Sequence, residues 1–211
     1  AVTVLTKGIE FLFKKNKVTY FKGKGSFKST NEISILAEGK ETTIQTDKTI
    51  ISTGSEPLSI PGMEFDEEKI LSSTGALSLS KLPKKMLVVG GGYIGLEMGS
   101  VWSRLGTQVE VIEFLDHITP GIDREVSREF EKILKKQGIK FQLNTKVEKI
   151  TKSKNFVSID VVDKEKNKKK LEADVVLISV GRKPYIKGLN LENVGVETDE
   201  KGKVKVNKTF E

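Results

Sequence analysis

Residues 88–97 read VVGGGYIGLE, with Gly90, Gly92 and Gly95 in G-x-G-x-x-G spacing and an acid, Glu113, 18 residues beyond the last of them. These residue types at this spacing can hold a pyrophosphate and the ribose beside it. Gly90 permits a tight strand-to-helix turn, Gly92 lets a phosphate approach bare backbone, and Gly95 lets the helix lie close to the strand. The free N–H groups and partial positive charge at a helix start then attract the phosphates. Glu113 would accept hydrogen bonds from the hydroxyls of an adenosine ribose. A glycine-rich turn with no ligand is the competing reading. Context argues against it: an apolar strand precedes the glycines, a patterned helix follows, and the acid ends the next strand. The acid also chooses between cofactors. It would repel a 2′-phosphate, and EFLDHITPG offers no arginine to hold one, so NAD is favoured over NADP.

Elements must position these residues. MLVVG, from Met86, reads as a buried strand. A helix follows over 93–105, with apolar positions 94, 98, 101, 102 and 105 and Gly106 as its C-terminal cap. QVEVIE is the next strand. Asp123 to Gln137 is a second helix, with Val126, Phe130, Ile133 and Leu134 facing inward, and IKFQL is a third strand. Strand and helix in alternation predict a parallel sheet. Thr74 is the expected N-cap of a short helix reaching Leu79. FVSIDVVD and ADVVLISVG predict antiparallel strands and then a long buried one, with KEKNKKK, 164–170, as a solvated hairpin tip. Before this unit, residues 3–15 suggest a helix with Leu5, Ile9, Leu12 and Phe13 on one face. VTYFKG, EISILAEG and TTIQTDKTIISTG suggest hairpin-linked strands, and SEPLSIPGMEFDEE a linker.

The 211 residues, 36% hydrophobic and 31% charged, suit one large or two small globular domains. No apolar run approaches a membrane span, and the first residues do not read as a secretory signal. With no cysteine there is no disulfide, thiolate metal site or cysteine nucleophile; no metal site and no catalytic residue are assigned. The net charge of +7 is not interleaved with aromatics, so nucleic acid is not an expected partner. His117 reads as a surface histidine, Trp102 as core, and Arg182 as a structural contact or a phosphate ligand.

ISTGSEP, SSTGALSL, VVGGGYIGLEMGSVWSRLGTQVEVIEFLDHI, LKKQGIKFQLNTKV and ISVGRKP stand in one order at close spacing. Together they resemble the flavin-dependent pyridine-nucleotide disulfide oxidoreductases, and among them the dihydrolipoamide dehydrogenases, over essentially the whole chain. The resemblance implies an α/β fold: a Rossmann-type parallel sheet with an antiparallel β-meander, plus partial FAD-domain segments. The implied division is 1–56 as part of an FAD-binding domain, 57–186 as an NAD-binding domain, and 187–211 as the return to the FAD-binding domain. Family members also carry a second G-x-G-x-x-G for FAD, a redox-active cysteine pair, a Gly-Asp flavin motif, and a dimerisation domain with a His–Glu dyad. This chain contains no cysteine, one G-x-G-x-x-G and one histidine. It is therefore expected to match an internal, NAD-binding fragment, inactive by itself, of a mitochondrial or other organellar flavoprotein. That parent would oxidise protein-bound dihydrolipoamide and reduce NAD, as a homodimer serving the lipoylated carrier protein of 2-oxo acid dehydrogenase complexes. Glutathione or mercuric reductases, and a stand-alone dinucleotide-binding module, are the rivals.

The resemblance also carries over site residues. Gly90, Gly91, Gly92, Tyr93, Ile94, Gly95, Leu96 and Glu97 would line the pyrophosphate and nicotinamide riboside, and Tyr93 would act as a lid, as in glutathione reductases. Glu113 would hold the ribose, Val147 the adenine and Gly181 the carboxamide end. Gly25, Thr53, Gly54 and Ser55 would lie against FAD.

Overall fold

The computed structural model describes residues 2–211, so Ala1, the first residue of the expected segment 1–56, lies outside the described residues. The chain divides into two units, Ala1–Gly54 with Pro184–Glu211, and Ser55–Lys183.

In the first unit, helix α1 (Val2–Lys15) is followed by a meander of β1 (Lys24–Ser29), β2 (Glu32–Ala37) and β3 (Lys40–Gln45), ordered β1-β2-β3. α1 buries none of its residues; Phe13 is half-buried, with its ring 5.7 Å from that of Tyr20. The β2–β3 turn places Glu38 and Gly39 at positive φ, 50° and 78°, as a two-residue hairpin of matching twist requires. Phe27 and Ile35 are buried. The Phe27 N–H donates to the Leu189 carbonyl, and the Asn193 side chain donates to the Phe27 carbonyl, tying a 3-10 turn at Leu191–Val194 to the meander. No strand forms in VTYFKG, residues 18–23, since β1 starts just past it at Lys24, and the third run ends at Gln45.

The second unit is three-layered. Its centre is a five-stranded parallel sheet of β5 (Ile70–Leu71), β6 (Lys85–Val89), β7 (Gln108–Ile112), β8 (Lys140–Gln142) and β12 (Val175–Ile178), ordered β5-β12-β6-β7-β8. Helices α2 (Ser73–Leu77), α3 (Tyr93–Arg104) and α4 (Arg124–Lys136) connect them. A second meander, β9 (Thr145–Lys152), β10 (Val157–Asp163) and β11 (Lys168–Ala173), stands between β8 and β12. A short pair, β4 (Ser55–Pro57) and β13 (Arg182–Pro184), completes the strands.

Alternation along each central strand builds two cores. Met86, Val88, Val109, Val111, Val175 and Leu177 pack with Leu96, Ile118 and Leu134 on the helical side. Leu87, Val89, Ile112, Val176 and Ile178 pack with Ile150, Val157, Ile159 and Val161 of the meander on the other. A strand covered on both faces must be apolar at every position, which is why MLVV and VVLI carry no alternation.

Four further expectations need correction. Ser72, not Thr74, caps α2: its hydroxyl accepts from the Thr74 and Gly75 N–H groups at 3.1 and 3.4 Å. In α4, Leu134 is buried, but Val126, Phe130 and Ile133 are 58, 37 and 51% exposed, while Ser127 faces inward. Lys168–Lys170 lie in edge strand β11 rather than at a tip, where lysines meet solvent along a free edge. The run ADVVLISVG is not one strand, because the Asp174 carboxylate turns back to accept the Lys85 N–H at 2.9 Å between β11 and β12.

Candidate dinucleotide site

β6 lies at the point where the sheet order reverses. The chain proceeds from β6 to β7 and β8 on one side, while β12 and β5 lie on the other. Crevices open beyond the carboxyl ends of strands at such a point. A cavity of about 870 Å³ is found there, within the 300–1,000 Å³ range of small-molecule sites. Its lining includes Gly90 and Gly92 after β6, Glu113 after β7, and Ser179 to Gly181 after β12. Phe114, Leu115 and Ile122 from the loop after β7, and Thr145, Lys146 and Val147 from β9, also line it.

The three fingerprint glycines have different physical reasons. Gly90 has φ +106°, and a Cβ there would stand 2.5 Å from the Ser179 carbonyl oxygen. A Cβ on Gly95 would stand 2.3 Å from the Gly90 carbonyl oxygen and 2.5 Å from the Ser179 hydroxyl. Both glycines are therefore required by packing between α3, β6 and β12. Gly92 differs: a Cβ there meets nothing within 4 Å, and its φ of −75° suits any residue. Nothing in the protein asks for glycine at 92, and its open side faces the cavity. Gly92 is also the N-cap of α3 and supplies no side-chain cap, so the first N–H groups of the helix are left for a ligand.

Glu113 is only 8% exposed. Its Oε2 accepts the Gly91 N–H at 2.6 Å and its Oε1 accepts the Leu115 N–H at 2.8 Å. The loop beyond it is ordered by local polar contacts. The Thr119 N–H donates to the Gly91 carbonyl at 2.8 Å, and the Thr119 and Ser127 hydroxyls are 2.8 Å apart. Asp116 pairs with Arg124 at 3.0 Å and with His117 at 2.7 Å; hydrogen bonds from Arg124 and then His117 lower its pKa to about 2.

Of the residues singled out from sequence, Gly90, Gly92, Tyr93, Ile94, Glu113, Val147 and Gly181 line the cavity; Tyr93 is 70% exposed. Gly91 stands behind it against Glu113. Gly95 and Leu96 are buried beneath it, and Glu97 is exposed outside it. Gly25 and Thr53 do not border this cavity, nor do Gly54 and Ser55. Gly25 lies in β1, Thr53 donates to the Tyr185 carbonyl, and Ser55 is held by Arg182, whose Nε reaches the Ser55 hydroxyl at 2.7 Å. Arg182 thus has a structural partner while also bordering the cavity. Trp102 is half-buried against the helical core, and His117 is half-buried beside Asp116. Sequence reasoning missed Thr119, Ile122, Lys146 and Ser179. The rule that ligands lie at the reversal of strand order would have pointed to Ser179, the first residue after β12. Among the described residues, no three His, Asp or Glu side chains stand close enough to hold a metal.

A crevice at the strand reversal, a bare helix start and a strand-end acid are the geometry of a Rossmann-type α/β unit. The chain belongs to the pyridine nucleotide-disulphide oxidoreductases, whose family model matches residues 1–211. That family implies a flavin and a nicotinamide dinucleotide as cofactors, and the Rossmann-type unit described above fits the second of them. Over 212 residues the chain is 52% identical to the mitochondrial dihydrolipoyl dehydrogenase of Pisum sativum, covering all of this chain and 42% of that protein. Dihydrolipoyl dehydrogenase 3 of Pseudomonas putida is 50% identical over 204 residues, covering 96% of this chain and 44% of that one. Among solved structures, the HOCl-induced flavoprotein disulfide reductase RclA of Escherichia coli superposes with a TM-score of 0.77 at 29% identity. It covers 96% of this chain and 47% of that one. The chain thus spans less than half the length of these relatives. No described helix is long and apolar enough to cross a membrane.

Proposed function

We propose that this chain is the NAD-binding region of a dihydrolipoyl dehydrogenase. The observation that carries the nucleotide assignment is the buried Glu113 carboxylate at the end of β7, bordering the cavity beside the bare N-terminus of α3. Gly92 and the first N–H groups of α3 would receive the pyrophosphate. Glu113 would receive the adenosine ribose, Val147 the adenine edge, and Gly181 the carboxamide end. NAD is preferred to NADP because a 2′-phosphate would meet the Glu113 charge. Arg124, the first arginine after the strand-end acid, is committed to Asp116 through both terminal nitrogens, at 3.0 and 3.2 Å.

The similarity to dihydrolipoyl dehydrogenases over the full chain supports the rest of the reading. The whole protein would oxidise the dihydrolipoyl group of a lipoylated carrier protein in 2-oxo acid dehydrogenase complexes. Electrons would pass through a redox disulfide and FAD to NAD in a homodimer. This chain has no cysteine, so the disulfide lies outside its own chemistry. Gly25, Thr53, Gly54 and Ser55 are proposed to lie against FAD. The mitochondrial matrix is the proposed location, on the strength of the Pisum sativum relative. The test is steady-state kinetics of the whole protein with dihydrolipoamide, against NAD and NADP, and with glutathione disulfide as a competing substrate. NAD reduction by dihydrolipoamide, at least tenfold more efficient than NADP reduction, is expected. Turnover of glutathione disulfide with NADPH would replace this reading with a glutathione reductase.

A further inference from the structure

Glu113 does more than face a ribose. Its carboxylate is held at both oxygens by backbone donors: Gly91 at 2.6 Å on Oε2 and Leu115 at 2.8 Å on Oε1. Its own backbone is fixed as well. Its N–H donates to the Gln142 carbonyl, and its carbonyl accepts from Thr145, each at 2.9 Å. The acid is thus a rigid post between β7 and the glycine turn. Gly91 is clamped from both ends, its N–H by Glu113 and its carbonyl by the Thr119 N–H at 2.8 Å. It also packs directly on the acid, since a Cβ at Gly91 would lie 3.2–3.3 Å from three Glu113 side-chain atoms.

We propose that Glu113 is a positioning residue for the glycine turn: it draws the Gly91 N–H inward and so sets the backbone from Gly92 to Ile94 that faces the phosphates. This rests on the reading of the cavity as a dinucleotide site. The chemistry is specific to a carboxylate. Each of its oxygens has two lone pairs, so each can take one backbone N–H and keep capacity for a ribose hydroxyl. A glutamine offers one oxygen and one NH2 group, so one of the two backbone N–H groups would meet a donor. Glu113→Gln can still bond a ribose hydroxyl, yet it cannot satisfy Gly91 and Leu115 together. Two roles for the acid then predict opposite signs. Removing a negative charge close to a pyrophosphate favours binding by Coulomb's law, whereas loosening the turn weakens it.

The experiment compares wild type and Glu113→Gln in the whole chain. Calorimetric titration uses NADH and a NADH analogue lacking both hydroxyls of the adenosine ribose. Amide hydrogen exchange is read at Gly91 and Leu115, with the melting temperature as a control for folding. The expected result is that Glu113→Gln binds the analogue at least tenfold more weakly than wild type does, and that Gly91 exchanges at least tenfold faster. Equal or tighter binding of the analogue by the variant overturns the proposal, whatever the exchange rates. If the variant fails to fold, the wild-type exchange decides. A slowed Gly91 amide supports the clamp, and exchange at the rate of an unstructured peptide refutes it. If wild type binds neither nucleotide, the dinucleotide reading fails, and the Gly91 exchange comparison still decides whether Glu113 holds the turn.

Discussion

Replacing Gly92 by alanine separates the demands of the fold from the demands of a ligand. At φ −75° and ψ 174° an alanine is unstrained, and its methyl group would touch nothing within 4 Å. Glycine-to-alanine changes at compatible positions stabilise by roughly 0.4–1 kcal/mol, because the unfolded chain loses freedom. For a chain of this size, that is an increase of about 1–4 °C in Tm. The same methyl group would occupy the approach of a phosphate to the start of α3. Losing two charge-assisted hydrogen bonds, at about 1.5–3 kcal/mol each, costs about 3–6 kcal/mol of binding, or roughly 10²–10⁴-fold in affinity. Gly90→Ala is the contrast. It combines φ +106° with a Cβ 2.5 Å from the Ser179 oxygen. Backbone strain of about 1–3 kcal/mol and overpacking of about 1–3 kcal/mol predict a Tm loss of at least ~4 °C. Scanning calorimetry and NADH titration on both variants provide the assay. If Gly92→Ala keeps wild-type affinity within threefold, no phosphate approaches that residue and the cavity has been misread.

Tyr93, which lines the cavity and is 70% exposed, contributes little to folding; Tyr93→Val in the whole protein should change the NADH on-rate in stopped flow while Tm moves by less than about 2 °C. A large Tm loss with unchanged kinetics would make it a core residue. The Asp116 pKa is lowered from 3.8 to about 2, so its contribution to stability is full above about pH 4 and is lost as pH falls towards 2. An NMR titration of its carboxyl carbon should show a midpoint near 2, and a midpoint near 4 would mean that the contacts with Arg124 and His117 do not persist in solution. Ser72→Ala should cost about 1 kcal/mol through loss of the α2 cap, whereas Thr74→Ala should cost less; the reverse order in chemical denaturation would restore Thr74 as the cap.

The glycine turn, Glu113 and the sheet were legible because each rests on local chemistry: a bare helix start, an acid at a strand end, apolar runs with helical or buried-strand spacing. What failed was orientation. The stripe Val126, Phe130, Ile133 has the right period for α4, but period alone does not say which side faces the core. The inward positions are instead taken by Leu134 and by Ser127, whose hydroxyl meets Thr119. Lys168–Lys170 misled for a related reason, since a charged run can form an edge strand as readily as a tip. Ser179 was missed because it joins the site through strand order, which is set by contacts between distant segments. The Glu113–Gly91 contact spans 22 residues and has no signature beyond the glycine itself.

A calorimetric titration of the chain with NADH and, separately, with NADPH decides the NAD assignment. NADH should bind at a single site, and NADPH at least tenfold more weakly, because its 2′-phosphate must approach the Glu113 carboxylate. Absence of NADH binding, or a preference for NADPH, would contradict the assignment of this cavity to NAD.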